Sequence, residues 1–131
     1  MDDASTRGAE IVAALTELSS EIRHVVLGDE AGGVLAASAG ADGERLARAG
    51  AELLAVARPP AGTGAAVAHV VVSGPDGAVV VCRHSGRIAV ATTTSEPAEA
   101  LVLHDLRSCL QGLEKPGRPR TRRRVAARDD A

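Results

Sequence analysis

Val67-Ala68-His69-Val70-Val71-Val72, then Ser73-Gly74-Pro75-Asp76-Gly77, then Ala78-Val79-Val80-Val81-Cys82 form the stretch on which the fold turns. After His84-Ser85-Gly86 comes a third apolar run, Arg87-Ile88-Ala89-Val90-Ala91-Thr92-Thr93. β-Branched residues dominate each run, and Gly or Pro bounds each one. This pattern predicts three strands joined by tight turns, an antiparallel meander over residues 67–93. A sheet of this kind needs cover, so the flanking sequence must supply it.

Upstream, Ser5 or Thr6 is a candidate cap for a first helix, with Glu10 early in it. Ile11, Leu15, Leu18 and Ile22 recur at helical spacing, Val12 and Ala14 widen that stripe, and Ser19-Ser20 marks the expected end. His24-Val25-Val26-Leu27-Gly28 reads as a strand. Asp29-Glu30-Ala31-Gly32-Gly33 reads as a turn, and Val34-Leu35-Ala36-Ala37-Ser38 as the returning strand. Asp42 is placed to cap a second helix over residues 43–58, with Leu46, Ala49, Gly50, Leu53 and Ala57 along one side and Leu54 beside or opposite. Pro59-Pro60 ends it, because a residue before proline is driven out of the helical region. Downstream of the meander, Ser95 and Pro97 open a last helix. Val102, Leu106, Cys109, Leu110 and Leu113 lie on one stripe of it, and Pro116-Gly117 closes it. The order is helix, two strands, helix, three strands, helix. It predicts the α+β class, a five-stranded antiparallel sheet with helices on both faces.

A chain of 131 residues fits one domain with a core that needs neither disulfides nor metal. The chain contains no Phe, Tyr or Trp, so the core must be aliphatic. The same absence excludes base stacking on aromatic rings, the usual platform for single-stranded nucleic acid. Charge is unevenly spread. Residues 115–131 hold seven basic side chains against Asp129 and Asp130, a net +5, whereas residues 1–114 carry −7. Few apolar residues and a dense arginine run predict a disordered tail at 115–131 behind a domain at 1–114. Met1-Asp2-Asp3 lacks a basic start before an apolar stretch, and no run approaches the ~18 apolar residues of a membrane span. A cytoplasmic protein with reduced thiols is expected.

No catalytic constellation stands out. His24, His69, His84 and His104 show no metal-ligand spacing, and their expected roles are structural or at the surface. Cys82 and Cys109 fall on core-facing positions, where a thiol behaves as a small apolar group. The serines form no nucleophile elbow, and Gly62-Thr63-Gly64 lacks the Lys-Ser/Thr of a phosphate loop. Neither a cofactor nor a metal is expected. In the tail, Gly117-Arg118-Pro119 is similar to the minor-groove AT-hook, with Pro116 where that motif has arginine. Arg118, Arg120, Arg122, Arg123 and Arg124 are candidate anion-binding residues. Nucleic acid, an acidic protein, an anionic membrane surface and the chain's own acidic body all match that charge, as does a purely solubilising role.

Ile22-Arg23-His24-Val25-Val26-Leu27-Gly28-Asp29 with Gly33-Val34-Leu35-Ala36-Ala37-Ser38, residues 42–57 with Glu44-Arg45-Leu46-Ala47, and Arg87-Ile88-Ala89-Val90-Ala91-Thr92 with Leu101-Val102-Leu103-His104-Asp105-Leu106-Arg107 together resemble the Roadblock/dynein light chain family. The resemblance covers about residues 5–114 and points to the bacterial, MglB-like GTPase-regulator branch. It implies a Roadblock/profilin-like fold, a protein that is not an enzyme, and a homodimer in which the second helix and third strand meet across a two-fold axis. On this chain that interface would comprise Leu46, Ala49, Gly50, Leu53, Ala57, Val67, His69 and Val71. The implied partners are a small Ras-like GTPase, with Arg45, Arg48 and Arg58 as candidate contacts, and sensor kinases or other signalling components. Physics agrees in part, because a long apolar edge strand calls for a partner. The rival expectation is a dimeric nucleic-acid-associated protein that binds DNA through its arginine-rich tail.

Overall fold

The computed structural model describes residues 3–57 and 68–114. Eight elements follow one another: α1 (Asp3–Leu18), β1 (Ile22–Asp29), β2 (Val34–Ala37), α2 (Gly43–Val56), β3 (His69–Gly74), β4 (Gly77–His84), β5 (Arg87–Thr93) and α3 (Glu99–Glu114). The strands form one antiparallel sheet in the order β2-β1-β5-β4-β3. The meander is therefore present, and its last strand closes on β1, with Val26 opposite Val90.

Side chains alternate across the sheet, and each face has its own core. Val25, Leu27, Val80, Cys82, Ala89 and Ala91 pack against Val12 and Leu15 of α1 and Val102, Leu106 and Leu110 of α3. On the other face, Val26, Val81, Ile88 and Val90 meet Ala47 and Leu54 of α2. The expected helices on both faces are thus found, two on one side and one on the other. The largest fully buried side chains are aliphatic, led by Leu27, Ile88, Leu106 and Leu110.

Turn chemistry sets the strand ends. Two residues, Pro75-Asp76, suffice between β3 and β4, since Gly74 already pairs with Gly77. β4 and β5 turn through Ser85 (φ 54°) and Gly86 (φ 81°), the two positive φ values of a type I′ hairpin. In the β1–β2 turn, Asp29 Oδ1 accepts the N–H groups of Ala31 and Gly33, each at 2.9 Å. Asp42 caps α2 as expected, accepting the Arg45 N–H at 3.3 Å.

α1 stops before Ser19-Ser20 as expected, but it departs from expectation at its start and in its apolar stripe. It begins at Asp3, and Ser5 is no cap, because its hydroxyl donates to Leu35 O at 3.3 Å. The stripe Ile11-Leu15-Leu18-Ile22 is also broken. Ser19 Oγ accepts the N–H groups of Glu21 and Ile22, a local turn that stops the helix. Ile22 then belongs to β1, Leu18 is 86% exposed and Ala14 is exposed, while Val12 takes the buried place.

Candidate functional site

A sheet has two edges, and here they are treated differently. β2 has only four residues, and α1 packs beside it, with the Ser5 hydroxyl on the Leu35 carbonyl. β3 is six residues long, and among the described residues only β4 pairs with it. The Arg83 N–H donates to Ala68 O at 2.9 Å, which sets the phase of the β3–β4 ladder. In antiparallel pairing the hydrogen-bonded positions then alternate, so Val70 and Val72 direct their backbone groups to β4. His69, Val71 and Ser73 direct theirs outward. Among the described residues nothing pairs with these donors and acceptors, the arrangement that invites another strand.

Beside this edge lies uncovered apolar surface. α2 crosses mainly β1 and β5, leaving the same face of β3 and β4 partly bare. Val72 is 45% exposed, and Val56 at the end of α2 is 71% exposed. Leu46, Leu53, Val70 and Val79 are half-buried along the margin of that core. Near the β3–β4 turn, Val72, Val79 and Thr92 line an open depression of about 380 Å³.

The residues expected at an interface between two copies are thus divided. Leu46, Leu53 and Ala57 are half-buried on α2 and its C-terminal cap, Ala49 is exposed on α2, and His69 is exposed on β3. Gly50 is corrected, because it faces the sheet. A Cβ there would lie 2.4 Å from Val90 Cγ2, so its small size brings α2 close to its own sheet, not to a second helix. Val71 is half-buried against the α1/α3 core, and it is its backbone that faces outward. Val67 lies outside the described residues. So do Arg58 and the tail arginines Arg118, Arg120, Arg122, Arg123 and Arg124. Arg45 and Arg48 are exposed on α2, with Arg48 backed by Gly32 of the β1–β2 turn. Sequence reasoning placed the third strand at the interface but did not single out Val70, Val72 or, on β4, Val79. Strand alternation held the signal for all three, once the α2 face of the sheet was known.

Among the described residues, the chemistry-bearing side chains form no catalytic constellation. Cys82 and Cys109 are buried free thiols, and burial pushes both up to about 11, which leaves them neutral at pH 7. His84 Nε2 lies 2.6 Å from Glu114 Oε1, and the Ser85 hydroxyl donates to Glu114 Oε2 at 3.2 Å. Both thus hold the carboxylate at the end of α3, whereas a nucleophilic serine would need its hydroxyl on the histidine. His69 Nδ1 faces Arg107 Nη2 at 3.4 Å. Among the described residues, no group of three His, Cys, Asp or Glu is placed to hold a metal ion. No helix among them is long and apolar enough to cross a membrane.

No protein-family model and no curated protein matches the chain. Solved structures do. A Roadblock/LC7 domain from Streptomyces avermitilis superposes with a TM-score of 0.73 at 17% identity, covering 81% of this chain and 93% of that one. The gliding protein MglB from Thermus thermophilus gives 0.72 at 18% identity, covering 86% and 90%. An MglB described as having a tetrameric arrangement gives 0.71 at 16% identity, covering 87% and 93%. This chain has the fold of the Roadblock/LC7 domains.

Proposed function

We propose that this protein is a homodimeric, non-catalytic regulator or scaffold of a small Ras-like GTPase in bacterial cytoplasmic signalling. The observation that carries the reading is the open β3 edge beside exposed Val72. One strand edge with unpaired backbone groups and adjoining apolar surface is met by a second copy of itself, and a closed two-fold pair leaves neither β3 edge exposed. The likeness to MglB structures favours a GTPase as the further partner. Arg45 and Arg48, exposed on α2, are the contacts we assign to it. The protein acts by contact, with the GTPase supplying the catalytic groups.

Two measurements test this. Light scattering of the intact protein should return twice the mass of 13.2 kDa. A Ras-like GTPase encoded beside the gene should co-purify with the protein or change its GTP turnover when mixed with it. A monomer would sink the dimer, and indifference of every such GTPase would sink the regulatory role.

A further inference from the structure

The acidity of the domain sits almost wholly in one layer. Residues 3–21 and 96–114, which contain α1 and α3, carry eight carboxylates and two arginines. Residues 22–93, which contain the whole sheet and α2, carry six of each. The two acidic helices share one face of the sheet, away from α2. They run antiparallel, since Arg7 Nη1 donates to Leu113 O at one end and Leu15 and Leu18 face Leu101 and Val102 at the other.

At that second end the helices part. A groove of about 350 Å³ opens between them, floored by Leu15 and Val102 and flanked by Glu21 and Asp105. Its rim holds Leu18, 86% exposed, and Leu101, 55% exposed. Two large leucines left in water beside carboxylates are poor solubility design and good recognition chemistry.

We propose that this groove is the docking site of the chain's own basic tail, residues 115–131. Charge is complementary, with a net +5 tail against the acidic layer. Val125, next to Arg124, is the large apolar residue that the tail can offer Leu18 and Leu101. Reach is sufficient. The grip of His84 and Ser85 on Glu114 fixes where the tail leaves α3. From Glu114 back to Leu101 is about 20 Å along the helix. Residues 115–125 extended span up to about 36 Å, enough to run back along the acidic layer. The α2 side, where positive and negative charges balance, offers the tail no such attraction.

The test uses the full chain carrying Ala126→Cys, spin-labelled at that site while the two native thiols stay buried, and observes amide NMR signals. Signals of residues 15–21 and 101–105 should broaden at low ionic strength. They should recover in about 0.5 M NaCl, where charges are screened within a few ångströms. Glu17→Gln with Asp105→Asn, both at the surface of folded helices, should also restore them, as should Leu18→Ser. Unbroadened signals at low salt would overturn the proposal. So would broadening confined to residues 43–56, or broadening indifferent to salt and to these substitutions. Dimer formation on the α2 side is read separately by mass, so the two readings fail independently.

Discussion

Val71→Pro is the sharpest probe of the β3 edge. The phase fixed by the Arg83–Ala68 bond turns the Val71 N–H away from β4, so proline there removes no bond within the sheet. If two copies pair through β3, each Val71 N–H donates across the axis in any register that keeps it within the overlap. The substitution then deletes two intermolecular hydrogen bonds per dimer. At a net contribution of about 1 kcal/mol each, and more where the opposing carbonyl is left stranded, the loss is about 2–4 kcal/mol. The Kd of the dimer should therefore rise roughly 30- to 700-fold. Sedimentation equilibrium over a concentration series measures this, with Val71→Ala as the control. That variant keeps the N–H while losing two methyl groups from a half-buried site, so it lowers thermal stability and leaves the dimer constant near wild type. A folded Val71→Pro protein whose dimer is as tight as wild type would show that β3 is not the pairing edge.

Other perturbations address the fold itself. Gly50→Ala inserts a methyl 2.4 Å from Val90 Cγ2, so α2 must lift from the sheet, and chemical denaturation should register a loss of about 1–3 kcal/mol. Asp42→Ala removes the acceptor for the Arg45 N–H and should cost about 1 kcal/mol, with α2 fraying first in hydrogen exchange. The thiols of Cys82 and Cys109 titrate at about 11 when folded, above their ordinary 9.0. The unfolded chain therefore sheds protons that the folded one keeps. Their contribution is fully present below pH 9 and declines from there to about pH 11, a slope that Cys82→Ala should flatten in denaturation curves taken across that range.

Composition and local pattern already determined much of this molecule. Short β-branched runs broken at Gly74-Pro75-Asp76-Gly77 and Ser85-Gly86 specify a meander, because strand propensity and a turn's φ requirements are local properties. Asp42 before an amphipathic stretch marks the start of α2 for the same reason, and a chain without aromatics can only build an aliphatic core. Periodicity failed where a local hydrogen bond cut it. Ser19 ended α1, so Leu18 and Ile22 no longer shared a helix. Gly50 marks a different limit. Small residues on a helix announce close approach, but sequence cannot say to what, and it was the packing of α2 onto Val90 that decided. The sequence already pointed to the third strand as the edge, but which backbone groups of β3 would face outward, and that the carboxylates of α1 and α3 would gather in one layer, were decided by tertiary structure alone. Each depends on contacts between residues far apart in the chain, such as β1 with β5 and α1 with α3, and no local propensity encodes those.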